Sequence, residues 1–97
     1  MTVSLQDNIK KRLIEQFHPE SLTVTDDSHR HRGHPGAQSG GHFSIHIVSH
    51  AFTNKTLIER HRMIYSALSE WMNTGIHALQ IHATTPDEKK DVARRRW

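Results

Sequence analysis

The stretch from Phe43 to Ala83 constrains the fold of this chain more than any other. Phe43, Ile45 and Ile47 alternate with Ser44, His46 and Val48, the period of a half-buried strand. Thr56-Leu57-Ile58-Glu59 follows, with the glutamate three residues after the threonine, the capping-box signature of a helix start. The helix is predicted to run to about Asn73, with Leu57, Ile64, Leu68 and Trp71 or Met72 on its apolar side and Tyr65 at the edge. Gly75 is a suitable stop. Ile76-His77-Ala78-Leu79-Gln80-Ile81-His82-Ala83 then reads as another strand, with Leu79 and Ile81 on one face and His77 pointing the same way at its start. Strand, long helix and strand make a βαβ unit, which calls for parallel strands and a right-handed crossover.

The flanking segments complete the pattern. Ser4 is a candidate N-cap, and Leu5, Ile9, Leu13 and Phe17 recur at helical spacing with Ile14 beside them. His18-Pro19 ends that helix, because the residue before proline avoids the helical region. Leu22 and Val24 alternate with Thr23 and Thr25, a short strand closed by Asp26-Asp27-Ser28. A loop rich in Gly, His and Ser runs to about Gly41, and the strands on either side of it are expected to pair antiparallel. Thr85-Pro86-Asp87-Glu88 repeats the capping logic and opens a short last helix. The expected fold is therefore a single small α/β (α+β) domain of order α-β-β-α-β-α. Its three-stranded mixed sheet carries the helices on one face and leaves the other partly open.

Ninety-seven residues, 34% of them hydrophobic, suit one folded domain with a modest core. No apolar run approaches the length of a membrane span, and MTVSLQDNIKK has no basic start followed by an apolar stretch, so a cytoplasmic protein is expected. The net charge of +3 is partly local. Lys89, Lys90, Arg94, Arg95 and Arg96 outweigh Asp87, Glu88 and Asp91, leaving the remainder close to neutral. The compositional oddity is ten histidines with no cysteine.

Four of those histidines, His29, His31, His34 and His42, lie in or beside the loop. Neutral imidazole ligates zinc, copper, nickel and iron, but a site needs partners from elsewhere in the fold; the alternative is a polar surface loop. His77, at the mouth of an apolar strand face, is either a satisfied core residue or a ligand on a rigid strand. In Glu59-Arg60-His61-Arg62, His61 falls one turn from Leu57 and is expected to face the core, with Arg60 and Arg62 flanking it. Those arginines, with Lys55 in the preceding turn, are candidate phosphate contacts or a solvated helix face. There is no GxSxG, P-loop or HExxH motif, and nothing pairs a nucleophile with a base, so an enzyme is not expected.

Several runs together resemble the BolA-like proteins: Asp27-Ser28-His29-Arg30-His31 with Gly33-His34; His42-Phe43; Ile47-Val48-Ser49 and Phe52; Arg60-His61-Arg62 with Ile64-Tyr65; and Ile76-His77-Ala78-Leu79 with Thr85-Pro86. The resemblance spans the chain to about Glu88, so residues 1–88 are expected to form the BolA-like domain and 89–97 a basic tail. It implies a class II KH-like fold and no known catalytic activity. It also implies pairing with a monothiol glutaredoxin, in which the heterocomplex holds a [2Fe–2S] cluster. The glutaredoxin and its glutathione would supply thiolates and this chain imidazole, with His77 as principal ligand and His31 as second; His29, His34 and His42 are the competing loop ligands. Imidazole on one iron raises a cluster's potential and makes ligation proton-sensitive.

The family also includes DNA-binding transcriptional regulators, which would give Lys55, Arg60, Arg62 and the tail a role. KH-style binding normally uses a GxxG loop between helices. Gly33-His34-Pro35-Gly36 has that spacing but lies between strands, and Phe52-Thr53-Asn54-Lys55 has no glycine. Divalent-metal binding by the histidine loop alone is a third reading, and a homodimer of the free chain is left open.

Overall fold

The structure is a computed structural model that describes residues 4–27, 41–72 and 74–88. Helix α1 (Leu5–Phe17) starts where Ser4 accepts the Asp7 N–H on its hydroxyl, and it buries Ile9, Leu13 and Phe17. Ile14, beside that stripe, is 48% exposed. The helix stops at His18, which takes a left-handed conformation (φ 45°) and donates its N–H to the Ile14 carbonyl. Two strands follow, β1 (Ser21–Asp26) and β2 (His42–Val48), paired antiparallel from Ser21↔Val48 to Asp26↔Phe43. Strand β3 (Ala78–Thr84) runs parallel to β2, in the order β1-β2-β3, as the βαβ pattern requires.

The alternation in the strands sorts the sheet into two faces. Val24, Phe43, Ile45, Ile47 and Ala83 are buried on one face against Ile9, Leu13 and Phe17 of α1 and against Ile64 and Leu68. Phe17 and Phe52 rings meet at 5.3 Å, and the buried Ser49 hydroxyl donates to the Phe17 carbonyl, tying the end of α1 to the end of β2. The opposite face, with Thr23, His46 and His82, is exposed.

Helix α2 (Leu57–Ala67) opens with the expected capping box: Thr56 and Glu59 each accept the other's backbone N–H. The Glu59 carboxyl is held below its ordinary value, first by the Thr56 backbone N–H. Two expectations for α2 need correction. It ends at Ala67 rather than near Asn73, and the chain continues as a 3₁₀ turn over Ser69–Trp71. The Trp71 carbonyl then accepts the N–H groups of Thr74, Gly75 and Ile76, turning the chain into β3. Its inward face is Arg60, Ile64 and Leu68, whereas Leu57 is 66% exposed. Strand β3 begins at Ala78, not Ile76, and His77 lies exposed on the bend before it instead of sharing the apolar face of Leu79 and Ile81. Residues 86–88 are helical (α3), with Thr85 and Glu88 forming a second reciprocal cap.

Candidate functional site

The end of the sheet where β2 and β3 begin brings the sequence candidates together. Gly41 has φ +74°, a conformation that glycine adopts without strain. A methyl group there would come within 2.3 Å of the Gly75 carbonyl oxygen and 2.9 Å of His77 Cδ2, so the Gly41 and His77 backbones approach as only glycine allows. Through this contact the Gly41 carbonyl accepts the N–H groups of His77 (2.8 Å) and Ala78 (3.1 Å). Ile76, fully buried, anchors the other side, and Gly75 leaves room for the Leu5 side chain. The backbone at His77 is thus fixed from both sides while its imidazole faces solvent.

Beside it, His42 is the register partner of Ala78, and its carbonyl accepts the Asp27 N–H at 2.7 Å. The Ser44 hydroxyl donates to the Asp27 carboxylate. A small cleft of about 80 Å³ lies here, lined by Asp27, His42, Phe43, Ala78, Leu79 and Gln80. Asp27 and Gly41 are the two ends of the histidine-rich segment, so both of its anchor points stand at this end of the sheet. His29, His31 and His34 lie outside the described residues. Among the described residues no group of three or more His, Asp or Glu side chains could hold a metal ion, and the chain has no cysteine. His42 and His77 are the imidazoles that the described residues place at this corner.

The second group of candidates divides. Lys55 and Arg62 are exposed, at the turn before α2 and on its outer face. Arg60, expected to flank a buried His61 as a phosphate contact, is instead the buried residue, and His61 is half-buried. The Arg60 Nε donates to the Lys55 carbonyl (2.9 Å), Nη1 to the Ala83 carbonyl (3.0 Å), and both terminal nitrogens to the Glu88 carboxylate (2.6 and 2.7 Å). A guanidinium so engaged ties α2 to the end of β3 and the start of α3, with four of its five N–H groups taken and only one, on Nη2, left over. Those bonds, with the Thr85 N–H, hold the Glu88 carboxyl down at about 2 and push the Arg60 guanidinium up. Sequence reading overlooked this pair; its only signal was an acidic capping residue, Glu88, just after the strand that α2 packs on. Arg12 was also overlooked: it donates to the Ala67 carbonyl, pairs with Glu70 and lies over the Trp71 ring at 4.6 Å, clamping the end of α2 to α1.

Comparison with known proteins fits this architecture. The family model described as BolA-like protein matches residues 13–88. A Sinorhizobium sp protein from the region 5′ of cobS is 43% identical over 89 residues, covering 89% of this chain and 96% of its own length. The DNA-binding transcriptional regulator BolA of Escherichia coli is 40% identical over 84 residues, covering 87% of this chain and 78% of its own. Among solved structures, the BolA domain of SufE1 from Arabidopsis thaliana superposes with a TM-score of 0.79 at 40% identity, covering 91% of this chain and 99% of that domain. Matching the family model over residues 13–88 and a solved BolA domain in both sequence and superposition, the chain belongs to the BolA-like protein family.

Proposed function

We propose that this chain is a non-enzymatic partner protein that forms a heterocomplex with a monothiol glutaredoxin and co-ligates a [2Fe–2S] cluster through histidine, serving iron–sulfur trafficking or iron sensing. The observation that carries the reading is His77: an exposed imidazole on a backbone fixed by Gly41 and Ile76, beside both anchor points of the histidine-rich segment. A ligand held this way needs little reordering to bind, which favours affinity. His77 is the principal ligand and His31 the second, with His29, His34 and His42 as the competing loop ligands. A cysteine-free donor set fits a cluster whose thiolates come from the glutaredoxin and its glutathione. Anaerobic titration with glutaredoxin, glutathione, iron and sulfide tests the reading. A heterodimer with a visible circular dichroism spectrum distinct from that of the glutaredoxin homodimer is expected; no complex, or an unchanged spectrum, contradicts it.

A second reading, a DNA-binding regulator, has a specific support in the Escherichia coli relative, a DNA-binding transcriptional regulator. With Arg60 engaged internally, Lys55, Arg62 and the Arg94–Arg96 segment are the residues to carry it. Binding that falls steeply with salt and retains sequence preference at physiological salt is its expected signature, and removing the residues after Lys90 separates tail electrostatics from the folded surface. Loss of sequence preference at that salt counts against it.

A further inference from the structure

The open face of the sheet carries a histidine pair that the glutaredoxin reading does not use. His46 of β2 and His82 of β3 are direct register partners, and their rings stack with centroids 4.5 Å apart and planes 11° from parallel. Both are exposed, on strand rather than loop. Thr23 of β1 is the register partner of His46 on the other side, while Ser44 and Gln80 stand two residues before the pair. The strand positions on this face carry no lysine or arginine to repel a cation.

Two imidazoles fixed side by side are a chelate. At metal–nitrogen distances of about 2.0–2.1 Å, adjacent ligand nitrogens on one ion lie about 3 Å apart, so the two exposed rings, now stacked, have to turn their nitrogens toward one another to hold it. His42 lies four residues back along β2, or about 13 Å at the rise of a strand, so one ion cannot serve both this pair and the His77 corner. We propose that His46 and His82 form a separate surface site for a divalent transition-metal ion, with water completing the coordination. Copper(II) is the tightest occupant expected, with nickel(II) and zinc(II) weaker, following the general affinity order of such ions for nitrogen sites.

The test uses the full chain without iron or glutaredoxin, so it stands apart from the cluster reading. Sub-stoichiometric copper(II) is titrated into ¹⁵N-labelled protein, and paramagnetic broadening of backbone amides is followed. Amides of Ile45, His46, Ile47, Ile81, His82 and Ala83 should broaden as one set. Because two tethered ligands outbind either one alone, His46→Gln and His82→Gln should each weaken copper binding at that set by roughly 10²-fold. Any broadening around Gly41 and His77 should be unaffected by either substitution. Both side chains are exposed, and an unchanged melting curve confirms each fold. Mid-strand amides that stay sharp, or that broaden equally in the variants, would overturn the proposal.

Discussion

At the scale of single residues, the site depends on a glycine and the fold on an arginine. Gly41→Ala places a methyl group against the Gly75 carbonyl and the His77 ring in a backbone conformation that alanine resists. A loss of about 2 kcal/mol or more in urea denaturation is expected, with shifted His77 resonances. A loss below about 0.5 kcal/mol would mean that the close approach is not required. Arg60→Ala removes the hydrogen bonds to the Lys55 and Ala83 carbonyls and to Glu88 and should cost about 2 kcal/mol. Arg60→Lys, which keeps the charge but not the planar fork, should fall between. The partner carboxyl sets a pH dependence. Folding lowers Glu88 from 4.5 to about 2, so its contribution is complete above about pH 4.5 and fades as pH falls toward 2. Because the Glu88 side chain is 44% exposed, water screens the pair and the contribution is modest. Glu88→Gln should therefore narrow the stability gap between about pH 6 and about pH 3, and an unaltered gap would remove Glu88 from the acid response.

At the scale of elements, the sequence was most readable where one period governed a whole segment. The stripe of α1, the alternation in β1 and β2, and both Thr-x-x-Glu caps follow rules of side-chain direction and backbone hydrogen bonding that act within a few residues. Helix α2 was harder, because Leu57, Ile64 and Leu68 spell an apolar side by themselves. The fold places Arg60, not Leu57, in the inward row with Ile64 and Leu68, since the Ala83 and Lys55 carbonyls and Glu88 satisfy its guanidinium. Those acceptors come from other elements and leave no mark in the local pattern. The contrast is testable: Leu57→Ala should change stability by less than about 0.5 kcal/mol, whereas Ile64→Ala should cost about 2–5 kcal/mol. Comparable losses would restore Leu57 to the core. Likewise, His77 could be picked out from sequence, but its exposure could not. That depends on β3 starting at Ala78, two residues later than the pattern suggests, and on the Gly41 carbonyl receiving two N–H groups.

At the scale of the molecule, the sheet divides the work. One face is filled by α1 and α2 and supplies the core, while the other is polar and presents the His46–His82 pair. The corner between them gathers Gly41, His42, His77 and both anchors of the histidine-rich segment. Since His77 is exposed and its backbone bonds do not depend on the ring, His77→Ala should leave the melting temperature nearly unchanged. Loss of function without loss of fold is what separates a ligand from a packing residue. The most direct measurement is pulsed electron paramagnetic resonance on the reduced heterocomplex, with ¹⁵N-histidine in this chain alone and an unlabelled glutaredoxin. A ¹⁵N hyperfine coupling to the cluster is expected, lost or strongly reduced in His77→Ala. A cluster that assembles with no ¹⁵N coupling, or whose coupling is untouched by that substitution, would contradict it.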